Sequence, residues 1–370
     1  MKQKCCRKTV VKTPMSEEGP GTPARARRRG STRPSVRSTP VKYRFRKGTF
    51  EFWFEWLVGA QTHGGSEASE CFYAASRIKD GDPRSWVREW LALGERIEAR
   101  ANEALFRRHS VSARECFLRA SLYYRAARLY LSVHDPRYQE LWQKSVACFR
   151  GGARLLAPPL EPVEIPFEKK ALPGYFLKVD TGQEPRKTLV MIGGGDTFVE
   201  DLYFYIGPAA VKRGYHVLMV DLPGQGGLPF EGMTMRPDAE APMGAVLDHA
   251  SRRLEIDTER LAVYGISGGG YLVPRAASFD KRIKACIACS AIPNFYEYMT
   301  QGRRPNPIIR LEGTWLFHVL VELAKRRSPA SQILIETYLW RWGARRLAEW
   351  MEMLKTFNFD RARFHARPSF

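Results

Sequence analysis

From residue 160 onward, short and almost wholly apolar runs alternate with helical stretches, and this alternation limits the fold more than any other feature of the chain. Runs at 189–192, 216–220, 261–264 and 284–289 have strand length and no polar face. Helical patterns lie between them, at about 200–213, at 239–253 and directly after Ser267. A strand that is apolar on both faces must be covered on both. The order therefore predicts an α/β fold with a parallel sheet between two layers of helices. Runs 163–167 and 175–179 read as a further strand pair, and Cys286 and Cys289 fall in a run expected to be buried.

The chemistry-bearing motif sits in this alternation. Gly265-Ile266-Ser267-Gly268-Gly269 is a G-x-S-x-G between an expected strand and an expected helix. So tight a turn needs small residues on both sides of the serine. It lifts the hydroxyl above the sheet at a helix N-terminus, where developing negative charge is favoured. The Gly268 N–H is then placed to stabilise a tetrahedral oxyanion. A glycine-rich turn, Gly193-Gly194-Gly195-Asp196, follows the first central strand and offers Gly194 and Gly195 as donors from the other side. It has neither the G-x-G-x-x-G spacing nor the G-K-[ST] ending of a phosphate loop. Residues 221–226 (DLPGQG) follow another strand at the end where ligand sites of open sheets collect, and Asp221 and Asp196 are read as turn-fixing residues beside the site.

Upstream, residues 50–157 read as an N-terminal helical domain, with aromatic and aliphatic residues recurring every three to four positions at 83–108, 112–131 and 138–156. Pro158-Pro159 ends that pattern. Residues 160–370 read as the sheet-bearing domain, with 294–357 as a helical cap insertion carrying Trp315, Tyr338, Trp340, Trp342 and Trp350.

The net charge of +20 points first to nucleic acid, but its placement argues otherwise. Residues 1–48 hold 15 Lys and Arg against two acids, so the remaining 322 residues carry only +7. With few large apolar residues, 1–48 reads as a disordered basic tail. Its run ARARRR (24–29) is a candidate contact for phosphates or an acidic surface. The competing readings are a leader upstream of a start at Met15 or later, and an organelle transit peptide. Seven scattered cysteines give no zinc-finger or disulfide framework, which suits a reducing, cytoplasmic setting. No apolar run reaches the roughly 18–20 residues of a membrane span.

Segments 193–204 (GGGDTFVEDLYF), 221–238 (DLPGQGGLPFEGMTMRPD) and 265–277 (GISGGGYLVPRAA), in that order behind a helical region, resemble the α/β-hydrolase superfamily. The resemblance is to the branch with an N-terminal helical domain that includes the fermentation-respiration switch protein, dihydroxypseudooxynicotine hydrolase and fungal hydrolases that shorten pigment polyketides. It covers roughly residues 50–370. It implies a serine hydrolase cutting an ester, an amide or a carbon–carbon bond beside a carbonyl. Ser267 would be the nucleophile and Gly268, Gly194 and Gly195 the oxyanion donors. No cofactor or metal is implied. The expected partner is a small apolar or aromatic substrate, with a homodimer as the candidate assembly and neither membrane nor nucleic acid.

The resemblance also implies an acid after a seventh strand and a histidine after an eighth. Residues 356–370 resemble the lead-in to that seventh strand, so both positions are expected beyond Phe370, with the last two strands. None of His63, His109, His134, His216, His249, His318 and His365 is identified as the triad histidine, and Glu297 is the candidate acid. A serine without a neighbouring base is a weak nucleophile. The alternative reading is therefore a catalytically impaired remnant or binding protein that keeps the fold.

Overall fold

The computed structural model describes residues 42–300, Thr314, Leu323 and 328–359. His318, His365, Trp315 and residues 1–41 of the expected tail lie outside the described residues.

Five α-helices come first: α1 (Gly48–Gly59), α2 (Ala68–Arg77), α3 (Pro83–Phe106), α4 (Ser110–Arg128) and α5 (Arg137–Ala153). The start of α3 follows from local chemistry. The Asp82 carboxylate accepts the Arg84 N–H, and Pro83 occupies a first-turn position that has no hydrogen bond to lose. Trp86 and Trp90 of α3, Tyr123 and Tyr124 of α4, and Phe50 of α1 are buried together. The Trp86 ring meets Phe50 and Tyr130 edge-on at 5.0 and 5.2 Å, and its indole N–H donates to the Ala126 carbonyl at 2.8 Å. A buried indole is tolerated where its polar atom finds such a partner.

Residues 42–48 depart from the expected tail. Phe45 is fully buried against Phe50, Phe54 and Trp86. The buried Glu51 carboxylate accepts the backbone N–H groups of Tyr43, Arg44 and Phe45. One apolar ring and three charge-assisted hydrogen bonds hold a stretch whose composition alone reads as disordered.

Six strands then form one sheet: β1 (Glu161–Phe167), β2 (Lys170–Leu177), β3 (Arg186–Ile192), β4 (His216–Val220), β5 (Ile256–Ile266) and β6 (Ala285–Cys289). Their order is β1-β2-β4-β3-β5-β6. β1 pairs antiparallel with β2, and β2 antiparallel with β4, while β4, β3, β5 and β6 run parallel. Helices α6 (Val199–Val211), α7 (Glu240–Ser251) and α8 (Gly269–Phe279) connect the parallel strands. Alternate residues of the central strands feed two separate cores. Leu189, Met191, Val217 and Met219 pack with α6 and the N-terminal helices, whereas Val190, Ile192, Leu218 and Val220 pack with α7 and α8. This two-sided burial is why β3 and β4 carry no polar face.

β6 is the exception. It stands at the end of the sheet, and Cys286, Ile287 and Cys289 are exposed rather than buried. Five apolar residues set strand propensity, but burial also requires a covering neighbour, and among the described strands β6 pairs only with β5. Helices α9 (Phe295–Thr300), α10 (Pro329–Trp342) and α11 (Leu347–Thr356) follow within the expected cap region.

The packing makes a direct prediction. Trp86→Ala removes a fully buried ring and its hydrogen bond, and should lower stability by about 3–5 kcal/mol. Phe106→Ala, at a ring 89% exposed, should shift it by less than about 0.5 kcal/mol. Urea unfolding midpoints of the two variants check this, and equal midpoints would contradict it.

Candidate active site

β5 ends at Ile266 and α8 begins at Gly269, so Ser267 and Gly268 alone make the turn. Ser267 has φ +53°, in the left-handed region that ordinarily costs a non-glycine residue about 1–3 kcal/mol. The surroundings hold it there. Its N–H donates to Cys289 O at 3.1 Å, and its carbonyl accepts from Gly270 N at 2.8 Å. A methyl on Gly265 would lie 2.2 Å from Gly269 O, so strand and helix close on each other only because that side chain is absent. Ser267 is exposed while Gly265, Gly268, Gly269 and Gly270 are buried, which leaves the hydroxyl as the accessible atom of a rigid turn.

The 193–196 turn comes up directly against this serine. A methyl on Gly194 would lie 2.7 Å from Ser267 Cβ, 2.9 Å from Ser267 Oγ and 2.8 Å from Gly268 N. A methyl on Gly268 would lie 3.0 Å from Gly195 N. The Gly195 and Gly268 N–H groups therefore border one small space beside the hydroxyl, and neither has a hydrogen-bond partner among the described residues. Gly194 is different. Its N–H donates to Thr197 Oγ1 at 3.0 Å and is committed to shaping the turn. The sequence motif named three glycines, and the backbone leaves two open donors.

Gln225 holds the turn from below, a role the motif reading did not assign. Its carboxamide nitrogen donates to Gly193 O at 2.6 Å and Gly194 O at 3.2 Å, and its oxygen accepts Leu222 N at 2.8 Å. Asp221 lies fully enclosed at the end of β4. Its Oδ1 has no partner, and burial, with Glu200 adding, pushes its carboxyl well above the ordinary range. Asp196 closes the turn on the other side, where its Oδ2 accepts the Tyr338 hydroxyl at 3.0 Å and its carbonyl accepts an Arg125 N–H.

None of the remaining candidates forms a hydrogen bond with Ser267 among the described residues. Glu297 is exposed on α9, where its N–H donates to Asn294 Oδ1 at 3.1 Å, and its carboxylate makes no hydrogen bond to the serine. His216 is buried at the opposite end of the sheet, where its Nδ1 accepts the Val179 N–H at 3.1 Å. His249 lies in the last turn of α7. His63 is in the short 3-10 helix Ala60–His63, and His109 and His134 flank α4 and α5. Among the described residues no histidine bonds Ser267, and no group of three or more His, Cys, Asp or Glu side chains could hold a metal ion.

Three arginines converge near Asp196. Arg125, Arg128 and Arg341 place their guanidinium carbons 4.3, 4.0 and 4.8 Å from the centre of the Phe198 ring. All three are buried. The available sequence signal was SLYYRAARLY (121–130), in which two arginines three apart share the inward face of an aromatic helix.

Comparison with known proteins accords with this architecture. The FrsA-like esterase family matches residues 79–303. The 20-hydroxy-prefusarin hydrolase of Gibberella moniliformis is 39% identical over 274 residues, which is 71% of this chain and 65% of that protein. The alpha/beta hydrolase psoB of Aspergillus fumigatus is 34% identical over 339 residues, 86% of this chain and 76% of that protein. The chain thus spans about two thirds to three quarters of the length of these relatives. Among solved structures, the 2,6-dihydroxy-pseudo-oxynicotine hydrolase superposes with a TM-score of 0.65 at 21% identity, over 82% of this chain and 76% of that one. A second, AbyA5, gives 0.57 at 20% identity, over 83% and 73% of the two chains. With a family match over more than half its length and a relative 34% identical over 86% of it, the chain belongs to the FrsA-like esterase family of the α/β hydrolases.

Proposed function

We propose that the chain is a serine hydrolase that attacks a carbonyl through Ser267 and cleaves an ester, an amide or a carbon–carbon bond beside that carbonyl. The observation that carries this reading is the strained, exposed Ser267 beside two open backbone donors, Gly195 N–H and Gly268 N–H. Oγ would add to the carbonyl carbon. The carbonyl oxygen, gaining negative charge, would accept those two N–H groups, whose positions require no rearrangement. Each such donor is typically worth a factor of about 10²–10³ in rate. The hydroxyl proton would pass to a base. The resemblance assigns that base to a histidine after a later strand, not to a described residue.

The substrate would be small and largely apolar or aromatic, since the space beyond Asp196 is walled by Phe50, Trp53, Tyr130 and Leu334. A reducing, cytoplasmic setting fits the five described cysteines, all of them free thiols. No described helix is long and apolar enough to cross a membrane.

Two measurements test the reading. A fluorophosphonate probe should label the protein once, at Ser267, and Ser267→Ala should abolish labelling without changing the melting temperature. Folded wild type that resists the probe would overturn the assignment. The glycines give a sharper contrast. Gly194→Ala puts a methyl 2.7–2.9 Å from Ser267 Cβ, Ser267 Oγ and Gly268 N, and should slow labelling by about 100-fold. Gly195→Ala meets only Tyr338 Cε1 at 3.5 Å and keeps its N–H, so its labelling rate should stay within about threefold of wild type. Equal rates for the two variants would show that the 193–196 turn does not border the reacting atoms.

A further inference from the structure

Beyond the 193–196 turn lies a cavity of about 230 Å³, against the ~30 Å³ that one water molecule occupies in the liquid. Helices α1, α4 and α10 supply most of its wall, and Asp196 forms part of its floor. Phe50, Trp53, Tyr130 and Leu334 make the wall apolar. Against them stand four cationic side chains, Lys47, Arg125, Arg128 and Arg341.

Two of these cations are unusual in what they lack. Arg125 has a carboxylate partner, with its Nε 3.3 Å from Asp201 Oδ2. Arg341 donates to Gly224 O at 3.1 Å, but its Nε is buried without a partner. Arg128 is only 2% exposed, and its Nη1 has no hydrogen-bond partner at all. Among the described residues neither Arg128 nor Arg341 forms an ion pair. Aromatic faces lie against both, Phe198 for each and Tyr138 at 4.4 Å for Arg128, while the Asp201 and Asp221 carboxyls act on Arg128 and Arg341 respectively without forming an ion pair. A buried charge without a counter-ion is costly, and ring faces offset only part of that cost. Burial first, with the like charges of Arg125 and Arg341 adding to it, pulls the Arg128 guanidinium down to about 9, while Tyr138 and Asp201 oppose the shift.

We propose that this cavity is a carboxylate-binding subsite, in which Arg128, assisted by Arg341, pairs with the carboxylate of an aromatic or apolar small-molecule acid. An apolar or aromatic acid suits this lining, because Phe50, Trp53, Tyr130 and Leu334 share it with Lys47, Arg128 and Arg341, and neither arginine has a carboxylate partner among the described residues. The subsite adjoins the reacting atoms. Asp196 lines the cavity, and Gly194, two residues earlier, touches Ser267 Oγ, a step of about 7 Å along an extended chain. A substrate anchored at Arg128 would therefore reach the carbonyl position across the 193–196 turn. This placement of the substrate rests on the reading of Ser267 as nucleophile, whereas the binding of an acid does not.

The experiment uses 2-naphthoate and its uncharged counterpart 2-naphthamide as probes, with binding followed calorimetrically on the full chain. The acid should bind at least tenfold more tightly than the amide to wild type. Ser267→Ala should keep that ratio, so failure of the nucleophile assignment leaves this result standing and the reverse also holds. Arg128→Met should lower affinity for the acid at least tenfold and leave the amide unchanged, and Arg128→Lys should recover part of the loss. Equal affinity for acid and amide in wild type, or failure of both to bind at millimolar concentration, would overturn the proposal. That comparison needs no variant, so it decides the matter even if Arg128→Met does not fold. An acid preference that survives in folded Arg128→Met would also overturn it, by placing the carboxylate elsewhere.

Discussion

The candidate active site depends on three turns meeting at close range, two of them backbone to backbone and the third through one carboxamide. The 193–196 turn, the Ser267 turn and the 221–226 turn come from three different strands, and each leaves its strand at the same edge of the sheet. Glycines at 194 and 268 let the first two touch, and the Gln225 carboxamide bonds the first to the third. A buried carboxamide that spends its nitrogen on two carbonyls and its oxygen on a backbone N–H is saturated, and it locks a loop that would otherwise bury unsatisfied carbonyls. With the Gly193 and Gly194 carbonyls bonded to Gln225 and the Gly194 N–H to Thr197, the Gly195 N–H is left without a partner among the described residues. The open donor proposed for the oxyanion is thus a consequence of where the other polar groups of the turn are spent.

The sheet makes this arrangement rigid. Because β3 and β4 are covered on both faces, their C-terminal ends cannot tilt without disturbing two cores at once. Close packing resists such movement. The strain at Ser267 is held the same way: the serine sits between β5 and α8, its N–H bonded to the end of β6, and the nearby glycines leave no room to relax. The cost of a left-handed serine is small against the burial that surrounds it.

Much of this architecture could be read from the sequence, for a physical reason. The strands at 216–220 and 284–289 and the helices at 83–108 and 112–131 are recovered to within a few residues. Two-sided burial writes itself as an apolar run, and one-sided helical burial as a three-to-four period. Other features left no such mark. The exposure of Cys286 and Cys289 depends on what covers an edge, and composition does not encode that. Phe45 was hidden among basic residues, and its burial rests on Glu51 capturing three backbone N–H groups. The demotion of Gly194 from donor to spacer follows from the Thr197 hydroxyl, a single contact that no pattern of glycines reveals. The arginines at 125, 128 and 341 stand in two helices more than 200 residues apart, and only the fold brings them to Phe198.

Those arginines also separate two kinds of buried charge. Arg125 and Asp201 form a structural pair: the Asp201 carboxylate accepts the Phe198 N–H at 3.0 Å as well as the guanidinium, so it fastens the start of α6 to α4. Removing either partner would strand the other, a loss of about 3–5 kcal/mol. Arg128 has no such duty. It fastens no carboxylate and no carbonyl among the described residues, and its ring contacts would be served as well by an apolar side chain of similar length. Burying a cation without a counter-ion is costly, so an apolar group of similar shape would spare the fold that cost. A position whose charge contributes so little to the fold and faces a cavity beside the candidate nucleophile is better explained by what enters that cavity than by the packing around it.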